Sequence, residues 1–326
     1  MGEAADISVV VLSWNTRALT LAALQSVEAA VAPFASEAVC VDNASRDGTA
    51  AAVRGALPRV RVIENPENLG FVRGNNAALP GLRGRYVCFL NSDAAASPGA
   101  LSHVVRYLDA HPEAGIACPG LVFPDGRLQR AAWKYPTAKG MLHQYTPLGW
   151  IGFGRSDSRE TRPERDTAET TGPVEAVAGA CLVIRRDLCE RLGGFDEGYP
   201  FYFEDVDLCW RAKALGTEVH VVVDGPPVVH HGGASTALAE GATRLPLLQG
   251  ILRFMRRTHS PRTARLFSVV FKAGVVVRSV WEVVRAPAYI ALRRLRGRAA
   301  RAERTRITAR DRRHFLRHDL WAFLKS

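Results

Sequence analysis

Short apolar runs alternate with stretches of helical periodicity along the first half of the chain. Ile7–Leu12 is almost continuously apolar and rich in β-branched residues, as buried parallel strands are. Leu19–Ala32 carries apolar residues at helical spacing, and Ala38–Val41 predicts a second strand. Val60–Ile63 and Arg85–Leu90 predict a third and a fourth strand. Strands that alternate with helices predict an α/β fold with a mostly parallel sheet.

The second half of the chain predicts further strands at Gly115–Phe123, Val174–Ile184 and Glu218–Val223. The segment Arg155–Gly172 is almost wholly polar and predicts a long loop. Structureless connections of that length are uncommon inside compact domains unless they are functional or disordered. We therefore expect this loop to close over a bound ligand as a lid.

Charge divides the chain into two predicted regions. Residues 244–326 contain 21 Lys and Arg against 4 Asp and Glu, a net charge of +17, so the total of +11 leaves −6 for residues 1–243. We predict an acidic catalytic domain over residues 1–243 and a basic, amphipathic, helical region over residues 244–326. Four charged residues interrupt the apolar stretch Leu266–Leu292, which favours a helix lying on an anionic membrane over one that spans it. The alternative is a solvated helical appendage packed on the first region.

The cysteines and the N-terminus bear on the compartment. The six cysteines include no C-x-x-C pair and lie mostly in apolar runs, so we expect reduced core residues rather than a zinc site. The N-terminus has neither a basic n-region nor a long apolar h-region. Both features predict a cytoplasmic protein.

Polar side chains follow the first two predicted strands, where open α/β sheets bind ligands. Ser13 and Asn15 follow the first strand, and Asp42 ends the second. Such groups can hold a base and a ribose, since a carboxylate accepts a hydrogen bond from a pyrimidine N–H. An Asp after a strand is also an ordinary turn or cap, so both interpretations stand.

The segment from residue 68 to residue 76 has the composition of a phosphate-binding turn. Gly70 permits close backbone approach, Asn68 and Asn75 offer amide groups, and Arg73 can neutralise a phosphate. The alternative is a helix start capped by Asn68. The Walker pattern and the G-x-G-x-x-G fingerprint are both absent, which argues against a nicotinamide dehydrogenase.

Carboxylates and histidines supply the candidate chemistry. Asn91 and Asp93 follow the fourth strand, where a carboxylate can hold Mg²⁺ or Mn²⁺ against a diphosphate, unless Asp93 merely caps a helix. Glu204 and Asp205 begin an apolar-periodic helix beside an aromatic cluster, together with a third acid, Asp207. This crowding exceeds what helix-dipole compensation requires and suits a general base. His230 and His231 follow the next strand and are candidate metal ligands.

Read in order, these segments resemble the family 2 glycosyltransferases, and within them the bacterial rhamnosyltransferase-like group. The resemblance is carried by VVVLSWN, VDNASRDGT, NLGFVRGNN, FLNSDA, VAGACLVIRRD, GGFDEGYPFYFEDVDLCWR and VVHHGGAS, from Ile7 to about Ser235. It implies a GT-A fold, with a Rossmann-like, mostly parallel central sheet flanked by helices. It also implies a nucleoside-diphosphate sugar donor, dTDP-rhamnose or a UDP-sugar, and inversion at the anomeric carbon.

The resemblance also implies roles for individual residues. Asp42 matches the contact to the base, Asn75 lies in the donor region, and Asp93 matches the metal-binding aspartate of the D-x-D motif. Asp205 matches the catalytic base, and His230 or His231 the metal-coordinating histidine, with His230 favoured. Because Asn91 replaces the first acid of D-x-D, a catalytically silent relative that binds sugar nucleotides stays an alternative.

The basic region suggests the acceptor. Its charge and its aromatic residues suit an anionic membrane surface, so we expect a glycan or lipid-linked acceptor of the cell envelope. The enzyme would then be peripheral on the inner face of the cell membrane. Arginine-rich segments with aromatic residues also bind RNA, but that class leaves the acidic region and its ordered motifs unexplained. We therefore expect no nucleic-acid partner.

Overall fold

The structure is a computed structural model that describes residues 5–155, 170–232, 244–296 and 299–326. The chain divides into two compact units. The first contains the described residues 5–135 and 170–232, and the second contains residues 136–155 and those from 244 onward. The predicted boundary at residue 243 therefore differs from this division, because residues 136–155 pack on the C-terminal helices. Most of the predicted lid, residues 156–169, lies outside the described residues.

Fourteen strands in the described ranges form three sheets. They are β1 (Ala5–Ser13), β2 (Ser36–Asp42), β3 (Arg61–Glu64), β4 (Gly84–Asn91), β5 (Ala94–Ala96), β6 (Ala114–Pro119), β7 (Leu121–Val122), β8 (Leu128–Gln129), β9 (Ala132–Trp133), β10 (Gly172–Val174), β11 (Ala176–Val177), β12 (Cys181–Arg185), β13 (Glu218–Val222) and β14 (Val228–His230). The central sheet has the order β10-β13-β6-β12-β4-β1-β2-β3. Strands β4, β1, β2 and β3 are parallel, whereas β12 runs antiparallel to β4 and β6. The predicted, mostly parallel α/β sheet is confirmed.

Helices connect these strands and form the second unit. They are α1 (Arg17–Val31), α2 (Thr49–Ala56), α3 (Gly70–Asn76), α4 (Ala100–Ala110), α5 (Ala138–Tyr145), α6 (Arg186–Leu192), α7 (Glu204–Ala214), α8 (Arg244–Thr258), α9 (Pro261–Leu295), α10 (Ala299–His314) and α11 (Leu320–Lys325). Helices α5 and α8 to α11 belong to the second unit. The predicted helical C-terminal region is therefore present.

Two of the predicted strands are wrong as single elements. Gly115–Phe123 divides into β6 in the central sheet and β7 in a smaller four-stranded sheet, because the chain leaves the central sheet at Gly120. Val174–Ile184 divides into β10, β11 and β12. Continuous hydrophobicity conceals such breaks, since β6, β7, β11 and β12 all contain buried residues.

Packing of the central sheet explains its hydrophobic sequence. Val9, Val10 and Val11 are all buried, so β1 is covered on both faces, as parallel sheets require. All six cysteines are buried and unpaired, as predicted.

Aromatic side chains form the core of the second unit. Phe267 stacks on Phe271 with ring centres 5.0 Å apart, and Phe271 also contacts Tyr145 of α5 and Phe323 of α11. These contacts explain why residues 136–155 join the C-terminal helices. No helix within the described ranges is both long and apolar enough to cross a membrane.

Candidate functional site

The carboxyl ends of the parallel strands bring the predicted binding residues to one edge of the central sheet. Ser13 at the end of β1 pairs in register with Asp42 at the end of β2. On the other side of β1, Leu12 pairs with Asn91 at the end of β4. Open α/β sheets bind ligands at this edge. The predicted residues after β1 and β2 therefore share one location with those after β4.

The loops after β1 and β2 hold each other in place. Asp42 is buried, and its Oδ1 accepts a hydrogen bond from the main-chain N of Ser45 over 3.1 Å. Asn15 Oδ1 accepts from the main-chain N of Arg46 over 2.7 Å, and the Asn15 N–H donates to Ser45 Oγ over 2.9 Å. Asn15 therefore orders the loop that carries Asp42.

Ser13 has a supporting position. Its hydroxyl is fully buried and lies 2.7 Å from Thr20 Oγ1 and 3.3 Å from Thr16 Oγ1. Thr16 in turn donates to Ser92 Oγ over 3.1 Å. This chain of hydroxyl groups links β1 to the loop after β4, so Ser13 supports that loop, and its contact with a ligand stays a prediction.

Asn43, the neighbour of Asp42, anchors the segment that begins at Asn68. Its Nδ2 donates to Asn68 Oδ1 and to the Gly70 carbonyl oxygen, both over 3.0 Å. Its Oδ1 accepts from Asn65 Nδ2 over 2.8 Å. Asn68 Oδ1 also accepts from the Gly70 N–H over 2.9 Å, and Gly70 has a left-handed φ of 79°. Asn68 and Gly70 thus shape the start of α3.

Helix α3 presents one exposed cation, a buried amide and a half-buried amide. The Arg73 side chain is 57% exposed and lies 3.8 Å from Glu197, which leaves its guanidinium accessible to an anion. Asn75 is buried and donates to the Phe71 carbonyl oxygen over 2.9 Å. Asn76, the last residue of the predicted phosphate-binding segment, bonds both main-chain polar groups of Phe195 at 2.8 and 3.0 Å, a contact that the sequence did not predict. Asn76 therefore ties α3 to the segment that precedes the acidic helix.

Asp93 and His230 meet because β5 and β14 are antiparallel neighbours, with His230 opposite Ala94. His230 Nε2 lies 3.3 Å from Asp93 Oδ1, and both side chains are largely buried. His231 donates its main-chain N–H to the Asp93 carbonyl oxygen over 3.0 Å. The geometry favours the ring of His230 over that of His231 as a partner of Asp93.

The contacts of His230 fit a bound cation. Gln129 Oε1 lies 3.0 Å from His230 Nδ1, and an amide oxygen accepts hydrogen bonds, so this contact suits an Nδ1–H donor. The other ring nitrogen, Nε2, faces the Asp93 carboxylate, and an imidazole nitrogen and a carboxylate oxygen can bind one metal ion together. Metal-ligating histidines commonly donate their second N–H in this way. Gln129 is a residue that the sequence did not reveal, because only strand pairing brings β8 near β14.

The donor set of this pair is incomplete for a metal. No cluster of three or more His, Cys, Asp or Glu side chains suited to a metal occurs in the part of the chain that the structure describes. One carboxylate and one imidazole fit an ion that takes its remaining ligands from a diphosphate and water, as Mg²⁺ and Mn²⁺ do.

Helix α7 begins on a strained backbone. Tyr202 and Phe203 have φ values of 67° and 73°, a region that bulky residues adopt rarely and at a cost of about 1–3 kcal/mol each. Glu204 and Asp205 follow directly in the first turn. Asp205 Oδ2 accepts from the Gly179 N–H over 2.9 Å. The strained turn and this hydrogen bond together hold Asp205 at the start of β12.

The two adjacent acids differ in ionisation. Burial raises the pKa of Asp205, and hydrogen bonds from the main-chain N–H groups of Gly179 and Val206 oppose the rise. Burial, followed by the charge of Asp205, raises the pKa of Glu204 to about 8. Glu204 Oε2 has no hydrogen-bond partner among the residues that the structure describes. Near neutral pH, Glu204 therefore keeps its proton more readily, and Asp205 is the better candidate for a base.

Asp207, the third acid of this cluster, is structural. It is fully buried, and Oδ2 accepts from Arg211 Nε over 2.6 Å while Oδ1 accepts from the Tyr199 hydroxyl over 3.0 Å. Arg211 also donates to the carbonyl oxygens of Leu192 and Gly194, each over 2.9 Å. This network fixes the turn between α6 and α7, and it occupies both oxygens of Asp207.

Comparisons with known proteins agree with this geometry. The model of the family described as Glycosyl transferase family 2 matches residues 8–193. The N-acetylglucosaminyl-diphospho-decaprenol L-rhamnosyltransferase of Mycobacterium tuberculosis (strain ATCC 25618 / H37Rv) is 30% identical over 207 residues, which are 60% of this chain and 66% of that protein. Rhamnosyltransferase WbbL of Escherichia coli (strain K12) is 25% identical over 47% of this chain and 58% of its own length.

The overall fold is similar to that of a solved enzyme. The mannosyltransferase PcManGT from Pyrobaculum calidifontis, in complex with GDP-Man and Mn²⁺, has a TM-score of 0.56 at 18% identity. The match covers 99% of this chain and 88% of that one, and it shows a shared GT-A fold. Since the family model also matches more than half of the chain, this protein belongs to glycosyl transferase family 2.

Proposed function

We propose that the chain is an inverting glycosyltransferase whose catalytic domain covers residues 1–243. It transfers a sugar from a nucleoside-diphosphate donor, dTDP-rhamnose or a UDP-sugar, to a hydroxyl of a glycan or lipid-linked acceptor in cell-envelope polysaccharide synthesis. The observation that carries the proposal is the meeting of three groups at one sheet edge. Asp205 is held there by Gly179, the Asn91 N–H donates to the Ala180 carbonyl oxygen over 3.0 Å, and Asp93 follows Asn91 within two residues.

The donor occupies the edge formed by β1, β2 and β4. Asp42 accepts from the base, Asn15 keeps the Asp42 loop in place, and Arg73 approaches the diphosphate with its exposed guanidinium. Asn75 supports this part of α3 from its buried position. Asp93 and His230 would hold a Mg²⁺ or Mn²⁺ ion, which neutralises charge on the diphosphate leaving group when it is bound.

Asp205 acts as the base in a single displacement. Its carboxylate accepts the proton of the acceptor hydroxyl as the oxygen attacks the anomeric carbon. The bond between that carbon and the diphosphate breaks, and its electron pair leaves with the diphosphate. Glu204 stays protonated beside Asp205, which avoids a second negative charge in the pocket. No covalent sugar–enzyme intermediate forms, so the anomeric configuration inverts.

The second unit brings the enzyme to a lipid-linked acceptor at an anionic membrane. Helix α9 exposes an apolar stripe at helical spacing, formed by Val277, Trp281 and Val284. Trp281 lies 6.0 Å from the ring of Trp150, and Arg285 lies beside the same ring. Apolar and aromatic side chains flanked by arginines are typical of helices that lie in a membrane interface. The name of the mycobacterial relative, which includes diphospho-decaprenol, supports the same class of acceptor.

A transfer assay tests the proposal. Purified protein is incubated with Mn²⁺, a polyprenyl-diphosphate-linked sugar and each of dTDP-rhamnose, UDP-galactofuranose and UDP-hexoses. We expect one donor to release its nucleoside diphosphate in an acceptor-dependent manner, with a product of inverted anomeric configuration. Donor binding without transfer or hydrolysis across the panel would favour the catalytically silent alternative. The observation behind that alternative is Asn91, which replaces the first acid of D-x-D.

A further inference from the structure

The second unit contains a buried group of charges that sugar transfer does not use. Glu282 of α9 is 8% exposed, and both of its carboxylate oxygens are engaged. Oε1 accepts from Arg278 Nε over 2.9 Å, and Oε2 accepts from Arg312 Nε over 2.7 Å. Arg278 lies one turn earlier on α9, whereas Arg312 comes from α10. One buried carboxylate is therefore shared by two guanidinium groups.

Arg244, the first residue of α8, adds a third guanidinium to this group. Its Cζ lies 5.2 Å from the ring centre of the buried Phe315. Burial lowers the pKa of Arg244 to about 10, against the smaller opposing effect of the Glu282 charge. Asp311 also favours the charged form of Arg244, and Arg278 opposes it. Arg244 therefore interacts electrostatically with the same cluster although it forms no hydrogen bond to Glu282.

Three buried nitrogens of this group lack a hydrogen-bond acceptor. They are Nε and Nη2 of Arg244 and Nη1 of Arg312, for which no partner occurs among the described residues. Arg312 as a whole is only 7% exposed. A buried donor that carries charge and has no acceptor is strongly destabilising, so native proteins leave few of them. Three in one cluster indicate an acceptor that the described residues do not supply.

The net charge of the cluster favours an anion over water as the missing acceptor. Among the described residues, the three arginines outnumber the two acids that act on Arg244, Glu282 and Asp311, so one positive charge remains. Water would satisfy the N–H groups but not this charge, whereas an anion does both. A guanidinium matches the oxygens of phosphate in a fork of parallel hydrogen bonds. We propose that Arg244 and Arg312 form a binding site for a phosphate or diphosphate group beside Glu282.

Binding of pyrophosphate to the full-length protein tests this site. Calorimetric titration is performed in EDTA at constant ionic strength, so that a metal-assisted donor site contributes little. We expect Arg244→Met to weaken pyrophosphate binding at least about tenfold, since it removes two of the three donors. Arg313→Met is the matched control, because Arg313 is adjacent to Arg312 but exposed, and it should leave the affinity within about twofold.

Thermal unfolding with and without pyrophosphate distinguishes an anion-binding role of Arg244 from a purely structural one. Without an anion, Arg244→Met should unfold at the same temperature as the wild type or higher, because it removes an uncompensated buried charge. With saturating pyrophosphate the order should reverse, since only the wild type gains binding energy. If Arg244→Met does not fold, Arg312→Lys serves, because it keeps a charge near Glu282 and removes Nη1.

Vesicles distinguish a free phosphate from a lipid headgroup. Phosphatidic acid carries a terminal phosphate, whereas phosphatidylglycerol carries only a diester. Stronger binding to phosphatidic acid vesicles that Arg244→Met abolishes would assign the site to a headgroup, and a response to pyrophosphate alone would assign it to a soluble phosphate. The proposal is overturned if Arg244→Met, or Arg312→Lys in its place, binds pyrophosphate and both vesicles as the wild type does. That outcome would leave the proposed sugar transfer untouched, because transfer is measured separately.

Discussion

The main-chain N–H of Gly179 donates to Oδ2 of Asp205 over 2.9 Å. This bond joins the first turn of α7 to the start of β12, and β12 pairs with β4, the strand that leads to Asp93. A Cβ at Gly179 would lie 3.4 Å from both Cβ and Oδ2 of Asp205, which is ordinary van der Waals contact. The proposed base is therefore held by a residue with no side chain of its own.

Neutralising Asp205 should lower turnover far more than neutralising the adjacent Glu204. Asp205→Asn should lower kcat by about 10²–10⁴, because it removes the group that accepts the proton. Glu204→Gln should lower kcat at pH 7 by no more than about threefold, since Gln resembles the protonated Glu204. Donor affinity should stay within about twofold in both. Steady-state transfer assays and calorimetry with the donor measure these quantities.

The exposed acid Asp187 on α6 provides the control for this comparison. Asp187→Asn should behave as the wild type in both measurements. If Asp205→Asn kept near-normal turnover while Glu204→Gln lost it, the base would be Glu204, and the assignment made here would be wrong.

Stability should depend on pH through Glu204. Its ordinary pKa is 4.5, and burial raises the pKa in the folded protein to about 8. Between these values the folded state keeps a proton that the unfolded state has released, so the free energy of unfolding falls as pH rises. The slope is at most about 1.4 kcal/mol per pH unit, and it levels off above the folded pKa.

Glu204→Gln should flatten this dependence. The variant should match the wild type near pH 5 and exceed its free energy of unfolding above pH 8. A smaller slope of the same sign should remain, because burial also raises the pKa of Asp205. Urea unfolding from pH 5 to pH 9 measures both curves, and parallel curves would show that Glu204 does not hold a proton in the folded state.

Sequence predicted the sheet and its binding edge because both follow from local patterns. The apolar run of β1 and the polar Asp42 at the end of β2 can be recognised without tertiary contacts, and parallel strands necessarily bring their carboxyl ends together. The same argument anticipated that Asp93 would lie at this edge.

Contacts between residues far apart in the chain could not be predicted from the sequence. Gln129 contacts His230 across 101 positions, and Asn76 bonds the backbone of Phe195 across 119. Nothing in the local sequence of either residue signals its partner. Ser13 shows the converse, since its place after a strand suggested ligand contact, yet Thr16 and Thr20 surround its hydroxyl.

The buried ion pair of Asp207 and Arg211 should matter for stability. Arg211→Met leaves Asp207 as a buried charge without its cation, which costs about 3–5 kcal/mol. The exposed pair of Arg186 and Glu190, also four residues apart, is the matched control, and Arg186→Met should cost less than about 1 kcal/mol. Urea unfolding measures both variants. Equal losses would contradict the structural role assigned to Asp207.

The apolar stripe of α9 should contribute to vesicle binding. The double variant Trp281→Ala with Val284→Ser should bind phosphatidylglycerol vesicles at least about tenfold more weakly, since each side chain removes apolar area from the interface. Binding of the wild type should also weaken as salt screens the basic second unit. Leu215→Ala, at an exposed apolar residue of the first unit, is the control for general hydrophobicity. Vesicle sedimentation that is unchanged in the double variant would remove the stripe from the proposal.

Substitution of the adjacent residues His230 and His231 tests which of them is a metal ligand. His230 Nε2 lies 3.3 Å from Asp93, whereas His231 donates its main-chain N–H to the Asp93 carbonyl oxygen, a bond that an alanine retains. His230→Ala should therefore raise the Mn²⁺ concentration needed for half-maximal nucleotide binding at least tenfold, and His231→Ala should change it less than about twofold. Gln129→Leu should raise that concentration less than His230→Ala does and more than His231→Ala does, since a hydrogen bond to a metal-ligating histidine supports metal affinity. Calorimetric titration of a nucleoside diphosphate at a series of Mn²⁺ concentrations measures all three. Equal responses of His230→Ala and His231→Ala would show that the ring of His230 does not hold the metal, and nucleotide binding that ignores Mn²⁺ in the wild type would remove the metal from the mechanism.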